Sequence, residues 1–325
     1  MKHFKFMPLL LTMLFAASSN AADLVASPPP QPDSGPGGAD YKFDAIRKST
    51  HGWGPKHVTI FEPADVKTTK PLPVIVFNHG YLATSPSVYG GWIEHIVRRG
   101  NIVIFPRYQV IGTKPAQITD NAITGLQTAL KQLKDKADLT KFAIVGHSAG
   151  GIISANMAAL AEKRGLPKPK AVMLTCPGIS RMFGLENLLN IPKDCLLLTV
   201  VTEHDIITGN SDAKRIFHMT KQISLANKDY IKVRTVRHGA RVLTADHNTP
   251  CSFQSIVGAT DKPRSSMMKS SLDYYAFWKL LDGLTDAAFY NKNRKFALGN
   301  TPEQRFMGKW SDGTPVTELV VTDKP

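Results

Sequence analysis

Five residues, Gly146-His147-Ser148-Ala149-Gly150, constrain this chain more than any others. An apolar run, Phe142-Ala143-Ile144-Val145, leads into them, and a helix-like run, Ile152 to Leu160, follows. Strand, tight turn and helix in that order hold the central serine in a strained backbone conformation. Small residues two positions before and two after it let the helix and the neighbouring strands approach closely. The turn lifts Ser148 Oγ clear of the sheet, and the free N–H groups at the helix N-terminus point at the same spot. The arrangement predicts a nucleophilic serine. A glycine-rich turn with a helix-capping serine is the alternative reading.

The rest of the chain agrees with that frame. Apolar runs at 57–61, 73–77, 101–105, 170–174, 196–201 and 230–236 read as strands. Helical spacing over 88–99, 118–136, 211–223 and 266–281 falls between or after them. In 118–136, Ile123, Leu126, Leu130 and Leu133 recur on one helical face. Strands alternating with helices predict an α/β fold with a mostly parallel sheet covered on both faces. Residues 40–325 are expected to form one domain. Its last part, 285–325, carries one short helix signal, Thr301-Pro302-Glu303-Gln304, and reads as a packed tail. Residues 22–39 hold Ser27-Pro28-Pro29-Pro30 and Gly35-Pro36-Gly37-Gly38 and are expected to be a tether.

The first 21 residues read as a signal peptide: Lys2 and Lys5, an apolar stretch from Phe6 to Ala17, then Ser19-Asn20-Ala21 ahead of the cleavage point. The apolar stretch is too short for a span of about 20 residues, so export is expected, to a periplasm or beyond, rather than anchoring. No later run is long and apolar enough to cross a bilayer. Cys176, Cys195 and Cys251 would then meet an oxidising compartment. Being odd in number they allow one internal pair, for which Cys176 and Cys251 are the expected partners; three buried free thiols are the alternative. Formal charge is +14. The lysines are scattered, with no dense run or aromatic-interleaved stripe, so nucleic acid is not an expected partner. No metal or cofactor is expected either, because histidine–glutamate, paired-cysteine, calcium-loop, phosphate-loop and dinucleotide motifs are absent.

With Gly146 to Gly151 as G-H-S-x-G-G inside this alternation, residues 41–284 resemble the α/β-hydrolase fold. Within it they look like secreted serine esterases and chlorophyllase- or cutinase-like hydrolases, with at most a small lid. The resemblance implies nucleophile, acid and histidine in that chain order. For the acid it implies Asp205, in Glu203-His204-Asp205-Ile206, with Glu203 as competitor. For the histidine it implies His247, in Ala245-Asp246-His247, with His238 as competitor; His218 falls within a predicted helix. An oxyanion hole needs two N–H donors, expected from Ala149 and, after Asn78-His79-Gly80, from Tyr81. His79 and His147 are expected to be hydrogen-bonded supports.

Arg107 follows a predicted strand and is expected at the carboxyl edge of the sheet, gripping an anionic group or bracing Glu203. Leu82, Met182, Phe183, Ile206 and Phe253 are expected to line an acyl or aryl pocket. The expected activity is hydrolysis of carboxylic esters, whether small molecules, lipids or polymers. Amide hydrolysis or acyl transfer on the same residues, or a non-catalytic binding role, are the rival readings.

Overall fold

The computed structural model describes residues 26–65, 70–255 and 267–325. The expected signal peptide and its cleavage point lie outside these residues.

Among the described residues, nine strands form the main sheet. In chain order they are β1 (Ile46–His51), β2 (Val58–Pro63), β3 (Leu72–Asn78), β4 (Ile102–Pro106), β5 (Ala137–His147), β6 (Ala171–Thr175), β7 (Leu196–Thr202), β8 (Lys228–Val233) and, near the C-terminus, Val320–Thr322. A hairpin of Val236–His238 (β9) and Arg241–Leu243 (β10) stands apart, so the C-terminal strand is β11. Across the sheet the order is β1-β2-β4-β3-β5-β6-β7-β8-β11. Strands β3 to β8 pair in parallel, while β1, β2 and β11 pair antiparallel at the two edges.

Side chains on a strand alternate between faces, and the central strands feed both. Ile75 and Phe77 of β3 enter one apolar cluster, with Trp92, Ile93, Ile96, Leu280, Leu281 and Leu284. Val74 and Val76 enter the other, with Ile118, Ile123, Leu126, Ile152, Ile153 and Met157. Helices α1 (Gly90–Arg98) and α6 (Lys279–Tyr290) therefore cover one face. Helices α2 (Ile118–Leu133) and α3 (Ala149–Leu160) cover the other. Every residue of α3 is buried, which is why its sequence has no polar stripe. Two short helices, α4 (Ser180–Phe183) and α5 (Ser211–Met219), follow β6 and β7.

Two segments depart from expectation. The last long helix begins with a wide turn at Asp273–Trp278, continues as α6, and stops at Asn291 in the left-handed conformation. It therefore runs further toward the C-terminus than the expected 266–281, and residue 266 itself lies outside the described residues. The expected tether lies against the domain instead. Its Gly37 N–H donates to Asp282 Oδ2 at 2.7 Å, and Asp282 also receives His95 Nε2 at 2.9 Å. Proline and glycine supply no apolar bulk, yet their backbone can still dock on a buried carboxylate. The tail is built into the core through Met307, Trp310, Val316 and Leu319 and adds β11 to the sheet. Its helix α7 (Pro302–Arg305) is capped by Thr301 Oγ1, which accepts from Gln304 N–H at 3.1 Å.

Candidate active site

Parallel strands end their chains on one edge, so the loops after β3, β5, β6 and β7 converge there. Ser148 sits between β5 and α3 with φ 58° and ψ −124°, a conformation rare for a non-glycine residue. Two bonds hold it. Ser148 N–H donates to Thr175 O at 2.9 Å, and its carbonyl accepts from Gly151 N–H at 2.9 Å. The flanking glycines are sterically necessary. A Cβ on Gly146 would stand 2.5 Å from the carbonyl carbon of Gly150, and one on Gly151 would stand 2.8 Å from Pro177 Cβ.

Asp205, His247 and Ser148 are brought together. His247 Nε2 lies 3.0 Å from Ser148 Oγ, and His247 Nδ1 lies 2.8 Å from Asp205 Oδ2. All three residues are buried. Burial alone would raise the Asp205 carboxyl. The bonds from His247 and from the Thr208 N–H and hydroxyl outweigh it and hold the acid well below the usual carboxylate range. With the acid ionised, His247 Nδ1 carries a proton and Nε2 is left as the acceptor facing Ser148.

The competitors are engaged elsewhere. Glu203 Oε2 accepts from Thr235 N–H at 2.9 Å, and Oε1 lies 3.7 Å from Arg234 Nε. His238 pairs with Asp312 at 2.6 Å and stacks on Trp310. His218 is exposed on α5.

Arg107 reaches the carboxyl edge, but the expected Arg107–Glu203 pair does not form. Strands β4 and β7 are separated by β3, β5 and β6, roughly 19 Å at the usual strand spacing. The Arg107 main-chain carbonyl accepts from His79 Nε2 at 2.6 Å, and its main-chain N–H donates to His57 O at 2.9 Å. The expected Cys176–Cys251 disulfide is also absent: all three cysteines are buried free thiols. Cys176 Sγ lies 3.4 Å from Thr202 Oγ1, and Cys251 lies against Tyr89.

Ala149 opens α3, where its N–H belongs to the unpaired first turn, and Tyr81 follows Gly80 on the facing loop. The Tyr81 ring lies 5.9 Å from Phe183, which joins this loop to α4. Tyr81, Leu82, Met182 and Ile206 are exposed at the carboxyl edge, Ile206 almost fully at 94%, whereas Phe183 is mostly buried in the core. Phe253 sits differently. Its segment is bonded to Ser87 and Val88 ahead of α1, and its own N–H donates to Met267 O at 2.7 Å.

Two contributors escaped the sequence reading. Thr208 donates its hydroxyl to Asp205 Oδ2 at 2.7 Å and its N–H to Oδ1 at 2.8 Å. A threonine three residues after an aspartate in a loop is the signal for such a turn. Tyr89, far from the motif in sequence, places its hydroxyl 2.9 Å from His147 Nδ1.

Among the described residues, His147, Cys176 and His247 bring possible metal-ligand atoms within 4.8 Å of one another. The donor set fits a divalent ion poorly. Both His147 nitrogens are already hydrogen-bonded, and burial pushes the Cys176 thiol far up, so it stays protonated.

Residues 37–175 match the chlorophyllase family. The fold is similar to that of carboxyl esterase 2 from the mycorrhizal fungus Tuber melanosporum, with a TM-score of 0.50 and 18% identity over 65% of this chain and 80% of that one. No curated protein matches the chain by sequence. Its sheet order, its strained serine turn and these two similarities give the chain an α/β-hydrolase-type fold, with residues 37–175 similar to the chlorophyllase family.

Proposed function

We propose that Ser148 attacks the ester carbonyl while His247 takes its proton, Asp205 orients His247, and the N–H groups of Tyr81 and Ala149 hold the oxyanion. The observation that carries this reading is the unbroken chain from Ser148 Oγ to His247 (3.0 Å) to Asp205 (2.8 Å). His247 then passes the proton to the leaving alkoxide, and alcohol departs. Water, deprotonated by the same nitrogen, attacks the acyl-enzyme and releases the acid. The Asp205 carboxylate stabilises the imidazolium that forms in each half-reaction. No group on this path requires a metal or an organic cofactor. In this reading Leu82, Met182 and Ile206, exposed at the carboxyl edge, contact the acyl or alkyl part of a small, lipid or polymer ester.

The same proposal places the mature protein outside the cytoplasm, on the strength of Lys2, Lys5 and the apolar stretch from Phe6 to Ala17. The test is labelling with a fluorophosphonate followed by peptide mapping, alongside ester hydrolysis by Ser148→Ala. Modification of Ser148 and a loss in kcat of about 10³-fold or more are expected. Labelling at another residue, or an active Ser148→Ala protein, would overturn the assignment.

A further inference from the structure

A second hydrogen-bonded chain runs behind the catalytic one. Gly80 N–H donates to Tyr89 Oη at 2.8 Å. Tyr89 Oη lies 2.9 Å from His147 Nδ1, and His147 Nε2 lies 2.8 Å from the carbonyl oxygen of His247. The direction of every bond follows from chemistry. A carbonyl only accepts, so His147 Nε2 must carry the ring proton. Burial, then the neighbouring His247, push His147 down to about 3, so the ring is neutral and has one proton. Its Nδ1 is therefore an acceptor, and the Tyr89 hydroxyl donates to it. A backbone N–H only donates, so Tyr89 Oη accepts from Gly80.

We infer that Tyr89 and His147 are positioning residues that fix the oxyanion loop and the catalytic histidine in one register about Ser148. This role rests on the serine mechanism proposed above. One end of the chain is Gly80, directly before the Tyr81 N–H that meets the oxyanion. The other end is the backbone of the base itself. Between them His147 is covalently joined to Ser148, so the nucleophile is the fixed point for both.

The parts have little room to drift. The Tyr89 ring is fully buried, with its centroid 4.9 Å from that of Phe77. A Cβ on Gly80 would stand 3.3 Å from Tyr89 Oη and 3.4 Å from His147 Nδ1, so the loop is pressed onto the pair. Removing the Tyr89 hydroxyl would strand Gly80 N–H and His147 Nδ1. The ring could then take its other tautomer and release the His247 carbonyl. The loss would fall on the transition state, where the base and the oxyanion donors act together.

The experiment compares Tyr89→Phe, His147→Gln and the double variant with the wild type on para-nitrophenyl acetate. Active sites are counted with a fluorophosphonate, and affinity is measured for a boronic acid that adds to Ser148 as a tetrahedral mimic. Each single variant should lose about 10- to 100-fold in kcat per labelled site, as for a misplacement of about 1 Å, with KM within about threefold. Boronate affinity should weaken in step with kcat. The double variant should be no worse than the poorer single one, because one chain is broken only once. If Tyr89→Phe does not fold, His147→Gln against the wild type decides by the same readouts. Three results would each overturn the role while leaving the serine mechanism standing: kcat per site held within about threefold, losses that multiply in the double variant, or a loss arising wholly from fewer labelled sites. A wild type that neither labels nor turns over would overturn the mechanism itself.

Discussion

Gly150 packs directly on the end of β3: a Cβ placed on it would stand 2.5 Å from the carbonyl oxygen of His79. That oxygen belongs to the loop that carries Gly80 and Tyr81, so the serine turn and this loop touch through backbone alone. Neither side can yield by rotating a side chain. Gly150→Ala should therefore cost about 3 kcal/mol or more, at the upper end of overpacking effects. The midpoint of urea unfolding checks it. A midpoint within experimental error of the wild type would show that the turn has slack that its geometry denies.

The two carboxylates after β7 should separate sharply. Asp205→Asn should lower kcat by about 10³- to 10⁴-fold, because an amide presents the wrong partner to His247 Nδ1. Glu203→Gln should stay within about threefold, since it loses only a partly exposed pairing with Arg234. Steady-state rates for the two purified variants decide, and a larger loss in Glu203→Gln would exchange the two assignments.

Much of this was legible because the strands and helices carry their burial in their periodicity. The elbow announced itself through Gly146, Ser148 and Gly150, each required by a local steric condition. Asp205 and His247 were read from chain order within the resemblance, and the structure brings both side chains to Ser148. What was hidden depends on contacts between distant segments. Nothing near Gly37 foretells a hydrogen bond to Asp282, and nothing near Tyr89 foretells His147. Arg107 and Glu203 were compatible in charge, but strand order, which decides their separation, is not written in either segment. The two favoured cysteines failed for a similar reason. Sharing the carboxyl edge is a weaker condition than the short, directed Cβ–Cβ approach that a disulfide demands.

Stability should fall in mild acid. Burial, the larger influence in each case, pushes His79 down to about 4 and His147 down to about 3. Both therefore stay neutral in the native state, whereas in the unfolded chain they take up protons below about pH 6.5. The unfolded state binds more protons between those limits. Stability is complete above about pH 6.5 and is lost as pH falls toward 4 and 3. At pH 5 the two groups together should cost about 4 kcal/mol relative to pH 8. Urea unfolding measured across this range tests the idea. A midpoint that is flat from pH 7 to pH 5 would contradict two buried neutral rings.

The cleft should favour short and medium acyl chains. The segment between β6 and β7 holds only α4 and a tight turn at Leu188–Asn190. Phe183 of α4 is turned into the core, while Met182 beside it is 46% exposed. Ile206, next to the acid, is exposed as well. Side chains so placed can flank the first carbons of an acyl group, but the segment is too short to roof a long one. Each further CH₂ would then keep much of its surface in water and gain well below the ~0.8 kcal/mol of complete burial. The ratio kcat/KM should rise over the first few carbons and then level or decline, and rates should not jump when substrate passes its solubility limit. A series of para-nitrophenyl esters of increasing chain length, assayed below and above that limit, supplies both measurements. A steady climb out to long chains, or a jump at the limit, would mean that the loops around Met182 and Ile206 close over the substrate.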